Sequence, residues 1–185
     1  MIKYLELKKP VVIGHSMGGS LAAHLAALEP DLPGAAVLID PGFRIRTNEQ
    51  REEVILELRK EMKSYKSMDT YQVALQIRKK HPDWPEFFIQ PSAESKIKMS
   101  MDAIDIFHTI DATWEEDLKR ADCPMLLITS DVNAGAIVSM ETADYARSLN
   151  PKLEVLHIPG AGHSIQREKY SEVLQGLSRF LDSLM

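Results

Sequence analysis

Four side chains have the types and the spacing for nucleophilic and acid–base chemistry: Ser16, Asp40, Asp131 and His163. Ser16 lies in Gly14-His15-Ser16-Met17-Gly18, directly behind the apolar run Val11-Val12-Ile13 and ahead of a helical pattern. Gly-x-Ser-x-Gly at a strand-to-helix turn is the pattern of a nucleophile elbow. Such a turn strains the serine backbone and crowds the residues two before and two after it, which glycine tolerates because it has no Cβ. It would lift the Ser16 hydroxyl above the strand end. It would also place the backbone N–H of Met17 at a helix N-terminus, where it can stabilise a developing oxyanion. The plainer reading is a Gly-rich turn with Ser16 as helix N-cap. The extended run Pro10-Val-Val-Ile-Gly-His-Ser-Met-Gly-Gly19 favours the elbow, because strand, turn and helix stand where the pattern needs them.

A serine hydroxyl is a poor nucleophile alone. It needs a base, and the base needs a group that fixes its tautomer and stabilises its charged form. His163, in the Gly-rich turn Pro159-Gly160-Ala161-Gly162-His163, is the candidate base; otherwise it is a loop histidine that bonds only locally. Asp131 is the candidate acid. One helix and one strand separate it from His163, so the two loops belong to adjacent strands; its alternative is a turn-former. Asp40 is the alternative acid, since it also ends a strand. Otherwise Asp40-Pro41-Gly42 is a turn and hinge. Of the other histidines, His15 shapes the elbow, His24 reads as a surface helix residue and His108 as a structural one. The methionines at 62, 68, 99 and 101 read as core, or alternatively as an adaptable apolar pocket lining.

Elements that place these residues follow from the hydrophobic pattern. The strands are Val11–Gly14, Ala35–Ile39, Pro124–Thr129 and Leu153–Ile158, short and continuously apolar as buried parallel strands are. Helices fall at 17–28, about 139–148 and about 166–184, and residues 2–7 read as the last turns of a helix. Residues 43–112 break this rhythm. They hold helical patterns and no strand: one opened by a Thr47-x-x-Gln50 capping box, with Val54, Leu58, Met62 and Tyr65 on one face; one at about 71–80; and one from near Ser92 carrying Ile97, Met101, Ile104 and His108. A second box, Thr113-x-x-Glu116, opens the helix that ends near Arg120. Strand–helix alternation predicts a parallel sheet with helices on its faces, and functional groups gather beyond the carboxyl ends of such strands. All four candidates lie there. An all-helical insertion between two such units is most simply a cap or lid.

Composition sets the bounds. With 185 residues and 44% hydrophobic content, the chain can bury one good core. A net charge of −5 argues against a nucleic-acid surface or an anionic-membrane partner. Lys60 to Lys66 reads as a solvated helix face. The single cysteine, Cys123, excludes an internal disulfide and fits a reducing compartment. No run reaches membrane-spanning length, and Met1-Ile2-Lys3-Tyr4 does not read as a secretion signal, so a cytoplasmic protein is expected. No P-loop, Gly-x-Gly-x-x-Gly or metal-ligand spacing is present, so neither cofactor nor metal is expected.

The elbow run, the order Ser16…Asp131…His163 and the Gly-rich histidine turn resemble the α/β-hydrolase superfamily, in its cap-bearing, esterase-like branch. The resemblance implies an α/β fold with a core of residues 1–42 and 113–185 and a helical cap over 43–112. It also implies a serine hydrolase acting on an ester or related small acyl substrate. Against that family's eight-stranded sheet, the chain supplies what resemble the fifth to the eighth strands, a partial α/β-hydrolase fold of about four parallel strands. The second oxyanion donor and one pocket wall, which the family draws from its first half, are then wanting. The chain reads as truncated, or as completed by another chain. Two other functions stay open: a non-catalytic binding protein that keeps the elbow, and a triad turned to carbon–carbon bond hydrolysis or cofactor-free perhydrolysis. Val11–Ile13 is expected to leave an open sheet edge, so a homo-oligomer or a second chain covering it is expected.

Overall fold

In a computed structural model of the protein, residues 1–44, 47–108 and 113–185 are described, except for the side chains of Phe107 and His108. The chain divides into two compact units, one formed by Met1–Arg44 with Ala112–Met185 and the other by Ile45–Asp111.

The first unit is built on four parallel strands in the order β1 (Val11–His15), β2 (Ala35–Ile39), β3 (Met125–Thr129) and β4 (Leu153–His157). Registers run Val11 to Ala35, Ala36 to Met125 and Met125 to Leu153. Every residue of β2 and β3 is buried, as strands covered on both faces must be. The strands match the expected apolar runs to within a residue or two at each end. Alternate side chains feed two cores. Ala36, Leu38, Met125, Leu127 and Leu153 face one, and Ala35, Val37, Leu126 and Ile128 the other.

α1 (Met17–Leu28) turns Ala22, Ala23 and Ala26 to the first core, while Leu21 and Leu28 stay exposed. The sheet-facing stripe is therefore the alanine one. Small side chains let a helix axis lie close to the strands, and the leucines beside them are left outside. α5 (Trp114–Arg120) and α6 (Met140–Leu149) contribute Trp114, Leu118, Ala143 and Ala146 to the same core. On the opposite face, α8 (Tyr170–Ser183) supplies Val173 and Phe180. The single helix expected over 166–184 is in fact two. α7 (Ile165–Glu168) ends at Lys169, whose φ of −131° is not helical. The box expected at Thr113 does not form either. Its hydroxyl donates to Asp117 Oδ2, and Asp117 also accepts from His24 Nδ1 at 3.0 Å, so His24, a surface residue with its side chain 45% exposed, also ties α1 to α5. Residues 1–7 form one helical turn closed by paired bonds from Leu7 N–H to the Ile2 carbonyl and from Glu6 N–H to that of Lys3, with Glu6 left-handed at φ 52°. That is a Schellman helix end.

The second unit is helical: α2 (Asn48–Lys66), α3 (Thr70–Lys80), α4 (Glu86–Lys98) and a 3-10 helix at Met101–His108. The Thr47/Gln50 box is present, and an equivalent Asp69/Gln72 box opens α3. α4 starts six residues earlier than its pattern indicated and carries Pro91 inside it; the residues from Met101 form a separate 3-10 segment. Met62, Met68 and Met101 pack into the unit's own two small cores, and Met99 is exposed. Among the described residues, no helix is long and apolar enough to cross a membrane.

Candidate active site

Chain geometry at the elbow is strained at one residue. Ser16 has φ 56° and ψ −120°, a combination costly to any residue with a Cβ. Its amide donates to the Ile39 carbonyl at 2.9 Å, which ties the turn to β2. Ser16 stands at the N-cap position of α1 yet makes no capping bond. Its hydroxyl is turned instead to His163 Nε2 at 2.9 Å. The plainer reading, a serine that merely caps the helix, is thereby set aside. The Met17 N–H is at the first helical position, where no intrahelical carbonyl is available to it.

Crowding in the turn falls on one glycine more than the other. A Cβ on Gly14 would lie 2.0 Å from the Gly18 carbonyl oxygen, whereas one on Gly18 would meet nothing within 4 Å. Residues 14 and 18 are thus crowded together as expected, but only at Gly14 does the crowding exclude a Cβ. Gly14→Ala is expected to destabilise the protein on the order of 3–5 kcal/mol, since backbone must move to admit the methyl. Gly18→Ala should be neutral or stabilising by about 1 kcal/mol, from helix propensity alone. Urea unfolding of the two variants checks this pair.

His163 Nδ1 lies 2.6 Å from Asp40 Oδ2. A carboxylate only accepts, so Nδ1 carries the proton, and the lone pair of Nε2 faces the Ser16 hydroxyl. Asp40 is fully buried, with φ 39°. Its carboxylate also accepts from Ile137 N–H at 2.9 Å and from Val138 N–H at 2.9 Å. Those amides, which nothing in the sequence singled out, satisfy the buried charge and hold it in one orientation.

Asp131 is elsewhere. Its Oδ2 accepts from Gly160 N–H at 2.7 Å, and its Oδ1 faces His157 Nε2 at 3.2 Å. The expectation that Asp131 orients His163 is corrected: the orienting carboxylate is the alternative, Asp40. Adjacency of the two loops was read rightly, and it is the reason. The histidine turn leaves β4 and crosses the end of β3 first, where Asp131 and Ser130 hold its backbone. The Ser130 hydroxyl contacts the Ile158 and Ala161 carbonyls at 2.5 and 2.7 Å. Only beyond that point does the turn present His163, over β2 and β1. A Cβ on Gly162 would lie 2.3 Å from the Ala134 carbonyl oxygen, and Gly162 N–H donates to Glu168 Oε2 at 2.6 Å, so the turn is pinned from both sides.

His15 Nε2 is 2.7 Å from the His163 carbonyl oxygen, and the two rings lie 4.6 Å apart. Burial, above all, holds the His15 pKa below its ordinary value. Burial likewise pushes up the Cys123 thiol, which is inert in the first core. The His108 side chain lies outside the described residues.

Residues 2–175 match a model of the Alpha/beta hydrolase family. The chain belongs to that family. Among curated relatives, Lipase LipV of Mycobacterium tuberculosis is 50% identical over 44 residues, 24% of this chain and 17% of that protein. A Haemophilus influenzae protein named as a predicted esterase/lipase is 24% identical over 98% of this chain and 63% of its own length. The chain thus spans less than two thirds of the curated relatives it matches. Two solved structures share the fold. E-2-(acetamidomethylene)succinate hydrolase does so at TM-score 0.78 and 22% identity, over 98% of this chain and 69% of that one. An enol-lactonase from Burkholderia xenovorans does so at TM-score 0.74 and 15% identity, over 98% and 68%.

Proposed function

We propose that the chain is a serine hydrolase of ester or related acyl substrates. Ser16 Oγ attacks the acyl carbon while His163 Nε2 takes its proton. Asp40 holds the imidazolium that results, and the Met17 N–H donates to the oxyanion. His163 then returns the proton to the leaving group, and a water repeats the sequence on the acyl-enzyme. The observation that carries this reading is the unbroken chain of hydrogen bonds from Ser16 through His163 to a fully buried Asp40. The esterase and lipase names among the relatives support the acyl class. The helical unit Ile45–Asp111, which follows β2 and precedes α5 in the chain, is the cap in this reading.

A fluorophosphonate probe tests it. The expected result is one adduct, at Ser16, by mass spectrometry; no adduct on folded protein would leave the binding-protein reading in its place. Product analysis on nitrophenyl esters, on a vinylogous diketone and on acetate with peroxide separates ester, carbon–carbon and perhydrolytic chemistry.

Assembly belongs to the same reading. β1 pairs with β2 alone among the described residues, and its Ile13 is 48% exposed beside an unpaired strand edge. An apolar open edge is a pairing template. A second chain is therefore proposed to cover it, and light scattering in dilute solution should give a mass above that of one chain. A stable monomer there would refute the idea.

A further inference from the structure

We propose that His15 is a positioning residue for the base: its Nε2–H holds the main chain of His163 and so sets the reach of the His163 ring to Ser16. This rests on the reading of Ser16 and His163 given above. His15 is the last residue of β1 and directly precedes the nucleophile. Its Nε2 lies 2.7 Å from a carbonyl oxygen 148 positions away in sequence. A carbonyl only accepts, so Nε2 of His15 carries the proton. His163 is therefore held at three points: the ring by Asp40 at Nδ1, the ring by Ser16 at Nε2, and the backbone by His15. Two of these three come from consecutive residues of the elbow. Nucleophile and base are thus registered to each other through a single rigid turn, and not only through the long path by way of β4.

Charge supports the arrangement. His163 becomes cationic during the reaction, with the His15 ring 4.6 Å away. A second imidazolium there would oppose it. Burial disfavours the charged form of His15, and the cationic partners His163 and Arg167 push the same way; the opposing influences are the His163 carbonyl and Asp40. A neutral His15 donates its hydrogen bond without competing for the carboxylate.

The test uses two readouts on the full chain. Long-range proton–nitrogen spectra of the histidine side chains should show His15 as the Nε2–H tautomer, still neutral below the ordinary histidine midpoint. They should also show His163 Nδ1–H far downfield, as a 2.6 Å bond to a carboxylate requires. His15→Phe keeps a ring and removes the donor. It should weaken or abolish that downfield resonance and slow fluorophosphonate labelling about 10- to 100-fold, the scale of a small misplacement of a reacting group. His15→Gln puts an amide N–H at about the same reach and should restore both signals. A His15 protonated on Nδ1, a Phe variant that labels at the wild-type rate, or Phe and Gln variants equally impaired would each overturn the proposal. Should the wild type take no probe, the hydrolase reading falls, and the His15 tautomer and the Nδ1–H resonance alone decide the positioning role.

Discussion

Ser16→Ala should abolish acyl transfer, with a loss on the order of 10⁶-fold in kcat, as single removal of a triad nucleophile does in serine hydrolases. The fold should survive, because among the described residues the hydroxyl makes one bond, to His163 Nε2, and Ser16 is not a member of either core of its unit. A second substitution separates chemistry from strain. Ser16 has φ 56° and ψ −120°, where a Cβ is costly and glycine is at ease. Alanine keeps that strain; glycine releases it. Strain of this kind costs about 1–3 kcal/mol, and glycine gives back about 0.5–1 kcal/mol through its larger unfolded-state entropy. Ser16→Gly should therefore be more stable than Ser16→Ala by about 1 kcal/mol, and just as inactive. Urea midpoints and nitrophenyl ester turnover measure the two effects. An alanine variant with a few per cent of wild-type turnover would show that Ser16 is not the nucleophile. A glycine variant no more stable than alanine would show that the elbow is not strained.

The sheet was legible because its strands are short, apolar throughout and punctuated by proline and glycine, so Ala35–Ile39 and the Met125–Thr129 run admit no other reading. The elbow was legible because its geometry is local: Gly14 must lack a Cβ, and Ser16 must follow a strand and precede a helix. Much of the helical unit was legible through Thr47 and the apolar face of α2. The start of α4 was not: the apolar pattern places it near Ser92, whereas the helix begins at Glu86, behind Pro85, and continues through Pro91. The carboxylate that meets His163 was misplaced for a different reason. Asp40 and Asp131 both follow apolar strands, and adjacency in strand order favoured Asp131. What decides between them is the path of the histidine turn across β3 and two amides, at Ile137 and Val138, that hold Asp40. Both are tertiary facts with no periodicity or motif to announce them. The role of Ser130, which bonds two carbonyls of that turn, is invisible for the same reason.

That correction yields the sharpest contrast between variants. Asp40→Asn should lower kcat/KM about 10⁴-fold, the cost of presenting the wrong tautomer to the nucleophile. The amide oxygen of Asn can still accept from Ile137 and Val138, so the turn around it keeps its bonds. The amide NH2 then faces His163 Nδ1, which can no longer donate there. The proton moves to Nε2, and the lone pair aimed at Ser16 is lost. Asp131→Asn leaves His163 untouched. Its amide oxygen can still accept from Gly160 N–H, and the hydrogen bonds of Ser130 to the Ala161 and Ile158 carbonyls continue to hold the turn. A loss of less than about 10-fold is expected, on the scale of a small misplacement of the base. Assays of both variants on one nitrophenyl ester, alongside urea midpoints to exclude unfolding, make the comparison direct. If Asp131→Asn proves the more damaging of two equally stable variants, the carboxylate 2.6 Å from Nδ1 is not the one that supports the imidazolium in the reaction.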